Sequence, residues 1–176
     1  MKIGTKSLLF GGHQFLIHPI LVYCAWIKVY RSIPSFWEAV AIAIHDWGYW
    51  GKPNIDGPEG EDHPRWAAEF LFNLTGSMSL WELCNWHSRF QARRYAGGKP
   101  SRLCLPDKMG IGFLPPWLWI LLCTLTGELK EYQTCTKYSS VEIDMKKNPT
   151  AWFRRYREAV YQWAKDGDFE ATIKIV

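Results

Sequence analysis

Val40-Ala41-Ile42-Ala43-Ile44-His45-Asp46-Trp47-Gly48 is the stretch from which the fold can be read. Five small or apolar residues run into an adjacent His-Asp pair, and a glycine stops the run. A helix apolar over most of its surface is buried. Its last turn therefore carries His45 and Asp46 into an enclosed site. A buried imidazole beside a buried carboxylate is costly unless each finds a partner. A metal ion suits both, because it takes neutral imidazole nitrogen and ionised carboxylate oxygen together.

Upstream, Ser35 is placed to cap this helix, and Glu38 three residues later gives a capping-box spacing. Before that, His18-Pro19 opens an apolar run to Tyr30, with Pro19 near the first helical position. Downstream, Gly48 to Asp62 reads as a long loop rich in Gly, Pro, Asn and Asp, of the kind that often serves function. His63-Pro64 repeats the histidine-proline opening and starts a third helix. A fourth spans Leu80 to His87, and a fifth, Arg102 to Met109, carries Asp107 and Lys108. Glu128 to Lys137 reads as a more polar helix, and Pro149 opens a last one over Thr150 to Ala164 with Asn148 as its cap. The N-terminal dozen residues read as irregular, and only Thr172 to Val176 has a strand-like pattern. The expectation is an all-α fold.

The 176 residues suit one domain with a sizeable core. A charge of +4 suits an anionic small molecule and is too weak to argue for stable nucleic-acid binding. The most apolar run, Leu114 to Cys123, falls short of a membrane span and contains two prolines, Pro115 and Pro116. It reads as a buried helix, with its Trp-rich part a candidate contact between copies in a homo-oligomer. Five cysteines, with no CxxC spacing and four in apolar surroundings, read as reduced, buried thiols. Lys2 and Lys6 precede only Leu8-Leu9-Phe10, too short for a signal peptide, so the expected location is cytoplasmic.

The ordered set His18, His45-Asp46, His63, His87, Asp107 resembles the HD superfamily of metal-dependent hydrolases, whose pattern is H…HD…H…H…D. Four of the five histidines fall on it; His13 lies outside and reads as solvent-facing or at a pocket rim. The resemblance runs from His18 to Lys108, where Asp107-Lys108 is similar to the family's usual Ala-Asp-Lys, with Pro106 in place of Ala. It implies an HD-domain helical bundle over residues 1–176, with a C-terminal helical extension from about residue 111. It also implies metal ligation by His18, His45, Asp46 and Asp107. The extra pair, His63 and His87, resembles the two-metal branch, in which Asp46 bridges both ions. Four imidazoles and two carboxylates suit two divalent transition ions such as Fe, Mn, Co, Ni or Zn.

The activity implied is a phosphohydrolase that cleaves a phosphate ester or anhydride of a nucleotide-like substrate through metal-activated water, with His45, Asp46 and Lys108 as the catalytic group. Lys52 and the basic segment Arg89, Arg93, Arg94, Lys99 and Arg102 are candidates for a phosphate clamp, since guanidinium forks match phosphate oxygens. Trp47, Tyr49 and Trp50 could stack on a base as readily as pack. A second branch, which includes myo-inositol oxygenase and organophosphonate oxygenases, uses the same six ligands on two irons. Gly60-Glu61-Asp62-His63 is similar to that branch and keeps a di-iron oxygenase as the alternative.

Overall fold

Ser35 and Glu38 close the capping box the sequence predicts. Ser35 Oγ accepts from the Glu38 N–H at 3.4 Å, and the Glu38 carboxylate accepts from the Ser35 N–H at 2.8 Å. The computed structural model describes residues 1–134 and 145–166, and every regular element among them is helical. In chain order these are α1 (Ile3–Phe10), α2 (Ile17–Tyr30), α3 (Phe36–Ile44), a single 3-10 turn (Trp47–Tyr49), α4 (His63–Thr75), α5 (Met78–Asn85), α6 (Arg89–Tyr95), α7 (Cys104–Ile111), α8 (Pro116–Thr126), α9 (Glu128–Thr134) and α10 (Pro149–Asp166). The fold is all-α.

Two regions depart from expectation. The N-terminal residues form α1 rather than an irregular lead-in. Its small polar face docks on the chain after the 3-10 turn: the Gly4 N–H donates to Lys52 O (3.1 Å), and Thr5 Oγ1 accepts from the Gly51 N–H (2.9 Å). The basic segment after His87 forms the short helix α6, which ends before Gly97 and Gly98 turn the chain with φ of 60° and 87°. The suggested strand at 172–176 lies outside the described residues.

One core cluster joins α2, α3, α4, α5 and the start of α7 through Val22, Trp26, Ile42, Ala68, Leu71, Leu83 and Leu103. A second joins α8 and α10 to the rest through Trp119, Phe153, Tyr156 and Met109. Helix α2 packs closely on α7, where a Cβ added to Gly110 would lie 2.9 Å from Val22 N. That seam sets His18 beside Asp107. Pro106 sits in the first turn of α7, where helical N–H groups have no partner to lose, so the proline is accommodated. Asn148 Oδ1 accepts from the Ala151 N–H at 3.0 Å, capping α10 as predicted.

Cys84, Cys104 and Cys123 are buried free thiols, while Cys24 is free and exposed, against expectation, because it lies on the outer face of α2. Cys135 is outside the described residues. On α8, Trp119 and Cys123 are buried but Trp117, Leu121 and Leu125 are exposed, so the apolar run is only half covered. No single helix among the described residues is long and apolar enough to cross a membrane.

Candidate metal centre

The six side chains singled out in the sequence meet. His18 comes from the first turn of α2, His45 and Asp46 follow α3, His63 opens α4, His87 lies just after α5, and Asp107 sits on α7. None is more than 5% exposed.

They form two groups that share one carboxylate. In the first, His18 Nε2 lies 3.2 Å from His45 Nε2, 3.2 Å from Asp46 Oδ2 and 3.0 Å from Asp107 Oδ1. His45 Nε2 is also 3.2 Å from Asp46 Oδ2. In the second, His63 Nε2 lies 3.2 Å from His87 Nε2 and 3.3 Å from Asp46 Oδ1, with His87 Nε2 at 3.6 Å from the same oxygen. Asp46 thus turns one oxygen to each group.

Three rings are aimed by main-chain carbonyls. Nδ1 of His45, His63 and His87 meets the carbonyl oxygen three residues earlier, Ile42 at 2.8 Å, Gly60 at 2.7 Å and Cys84 at 2.5 Å. A carbonyl only accepts, so Nδ1 carries the hydrogen in each ring. In the neutral imidazole Nε2 is then a bare lone pair. His63 and His87 consequently point two lone pairs at each other, which only a cation between them makes favourable. Asp46 Oδ2 is buried without a hydrogen-bond partner, although buried polar atoms are nearly always satisfied. Lone pairs and an unsatisfied carboxylate oxygen converging in a buried place are the donor set of a transition-metal site. The residues present fit one or two such cations. His18 Nδ1 has no partner either, so among the described residues nothing aims that ring in the same way.

The electrostatics agree. Burial opposes a charge on His45, but the carboxylates of Asp46 and Asp107 outweigh it and raise its pKa to about 10. Any cation brought here feels the same attraction. Burial lowers His63 to about 4, against a partial pull from Asp46, and burial lowers His87 too. Burial would raise the carboxyl of Asp46, but His45 and His18 hold it well below the usual carboxylate range. For Asp107, burial is likewise outweighed, first by Lys108 and then by His18 and His45. Lys108 Nζ donates to Asp107 Oδ2 at 2.7 Å, which leaves Oδ1 facing the histidines. Lys108 is fixed in turn by Tyr156 on α10, whose hydroxyl donates to the Lys108 carbonyl at 3.0 Å.

Beside this centre lies a cavity of about 490 Å³, with His63, Tyr49 and His13 on its wall. Arg89, Arg93, Arg94 and Lys108 line it, together with Asp56 and Glu61. The structure therefore gathers three of the six proposed clamp residues, plus Lys108. Arg102 stands apart: its guanidinium lies over the rings of Trp26 (4.9 Å) and Tyr30 (4.6 Å) and 3.4 Å from Glu38 Oε1. The turn at Gly97 and Gly98 carries the chain away from the cavity before Arg102 is reached. Lys52 lines a different cleft of about 700 Å³, with Trp47, Trp50 and Trp66, and lies 3.8 Å from Asp62.

Three further residues, of which only Glu128 was not singled out in the sequence, stand at the site. Tyr49 stacks on the His63 ring, centroids 3.9 Å apart and planes within 15°, so it walls the site. Of the two alternatives for His13, the pocket wall holds and the solvent-facing one does not: it is buried, lines the cavity, and has Glu128 of α9 as its partner at 3.3 Å. Comparison with protein-family models, with curated proteins and with solved structures finds no match for this chain. What stands on its own residues is a helical protein with a buried His/Asp cluster able to hold metal.

Proposed function

We propose that this protein is a metal-dependent phosphohydrolase of the HD type, acting on a phosphate ester or anhydride of a nucleotide-like small molecule. The observation that carries the reading is the shared carboxylate: Asp46 faces one imidazole set with each oxygen, beside a cavity rich in arginine. The order of the six residues along the chain supports the HD resemblance.

His18, His45, Asp46 and Asp107 would hold one divalent cation, and Asp46, His63 and His87 a second. Bound there, such ions supply Lewis acidity and a water acidified to near neutrality. The chain's own residues do the rest. Arg89, Arg93 and Arg94 bind phosphoryl oxygens by charge-assisted hydrogen bonds and fix their orientation. Lys108 holds Asp107 and adds positive charge at the cavity wall. Stacked Tyr49 and the buried rings exclude bulk water, which strengthens each of these interactions. A volume of about 490 Å³ suits a small molecule rather than a polymer.

The test is elemental analysis of the purified chain followed by a panel of nucleoside mono-, di- and cyclic phosphates with Mn, Co, Ni, Fe and Zn. Release of phosphate with at least one metal is the expected result. Silence across the panel, or consumption of dioxygen that depends on iron, would overturn the reading.

A further inference from the structure

The cleft of about 700 Å³ shares no lining residue with the arginine-rich cavity, and its walls are mostly aromatic. Trp47, Trp50 and Trp66 line it and are 42%, 64% and 44% exposed. Phe15 lines it too, 39% exposed. Phe70, 46% exposed, stacks on Trp66 with centroids 5.5 Å apart, and Trp66 stacks on Trp47 at 6.0 Å. The exposed parts of these five rings come to on the order of 600 Å². The side chains of Arg65 and Glu69 beside them bring the surface to the roughly 800 Å² that each partner of a standard interface contributes. A joined apolar patch of this extent marks a surface that meets a partner.

The charges choose the partner. Two cations and two carboxylates share the cleft, with Lys52 3.8 Å from Asp62 and Arg65 2.6 Å from Glu69. A surface balanced in this way exerts no net pull on an anionic lipid headgroup or a nucleotide phosphate. It suits a partner that alternates charge in the same manner, and a second copy of the chain is one. Trp66 and Phe70 are four residues apart on α4, as are Arg65 and Glu69, so a row of charge runs beside a row of rings. Two such helices set antiparallel about a two-fold axis bring Arg65 of each copy beside Glu69 of the other, along the rings of both. On α8, Trp117, Leu121 and Leu125 are exposed as well, but that helix carries no charged residue to fix a register.

We propose that the aromatic face of α4 and the 3-10 turn is a two-fold interface, on which a second copy of this chain packs with its α4 antiparallel to the first. The interface does not rest on the phosphohydrolase reading. Its rings form the anchors, and the Arg65–Glu69 exchange sets the register. The wall it covers backs the candidate metal centre: Trp47 and Trp50 line the cleft, while Tyr49 between them lines the arginine-rich cavity and stacks on His63.

Sedimentation equilibrium of the full chain tests this. Wild type should be a dimer with a dissociation constant in the micromolar range or tighter. Trp66→Lys should weaken it at least about 30-fold. Trp50→Lys, at a more exposed position, should also weaken it, with circular dichroism and Tm unchanged. Arg65→Glu and Glu69→Arg should each be monomeric alone, because like charges then meet across the axis, and should form a one-to-one heterodimer when mixed. Trp117→Lys should leave the dimer intact. A wild type that stays monomeric at about 100 µM overturns the proposal, since interfaces of this size bind at micromolar concentrations or below. So does a dimer that survives both changes at Trp50 and Trp66, or one that Trp117→Lys breaks, or a pair of charge variants that does not associate. A monomer that sediments with phosphatidylcholine vesicles, and ceases to do so in Trp50→Lys, overturns it in favour of a lipid surface.

Discussion

Gly48 lies so close to the main chain of His63 that a Cβ on it would come within 1.9 Å of the His63 carbonyl oxygen. The 3-10 turn after Asp46 and the start of α4 are thereby pressed together. The approach brings the Asp46 carboxylate to the His63 imidazole. Gly48→Ala should push them apart. Overpacking of this kind costs about 1–3 kcal/mol, so urea denaturation should show reduced stability, and metal content should fall with it.

Asp46 serves both groups, whereas His87 serves one. Asp46→Ala should abolish binding of both cations, and His87→Ala should release the second while keeping the first. Mass-spectrometric metal analysis after gel filtration checks both variants. Full retention of metal by Asp46→Ala would dismantle the assignment.

Metal-free protein should show a characteristic pH response. Because His45 stays protonated up to about pH 10, a cation binding at pH 8 must expel that proton. Calorimetry in buffers of different ionisation enthalpy should find about one proton released per binding event, with affinity rising as pH rises toward 10. His63 acts in the opposite sense on stability. The unfolded chain protonates this ring near its ordinary value of 6.5, while the folded chain keeps it neutral down to about 4. Folding is therefore penalised as pH falls from 6.5 to 4. The depressed carboxylates of Asp46 and Asp107 push the same way at lower pH. The Tm of the metal-free chain should decline across that range.

Arg93 and Arg102 separate the clamp from its surroundings. Arg93→Ala should raise KM for a phosphorylated substrate about 10- to 100-fold, the worth of one charge-assisted hydrogen bond. Arg102→Ala should leave KM within about twofold, losing a stack on Trp26 and Tyr30 and a surface pairing with Glu38, both of modest worth. Steady-state kinetics on both variants distinguishes them, and equal effects would remove the clamp.

Much of the centre could be read from the chain because its signals are local. The Ser35–Glu38 box, the prolines beside His18 and His63, and the apolar run before His45 each act within a single helical turn. Helix α1 was missed because its order comes from elsewhere: Gly4 and Thr5 are held by residues 51 and 52, and nothing in the spacing of Lys2 to Phe10 announces that. Glu128 was missed for the same reason. Its partners His13 and Gly12 come from the other end of the chain, and a glutamate opening a polar helix looks like an ordinary surface residue. Arg102 shows the converse. Proximity in sequence to Arg93 and Arg94 suggested a common role, and two glycines with positive φ undid it.

The carbonyls of Ile42, Gly60 and Cys84 are what steer three of the imidazoles. Every amino acid carries that carbonyl, so no mutation at these positions can delete it. The bearing of each ring is written into the path of the polypeptide and not into its neighbours' identities. Side chains at 42 and 84 are thus free to drift over evolutionary time, within the room available, without turning the rings away, whereas position 60 is held to glycine by the Ile55 main chain, 2.4 Å from where a Cβ would sit.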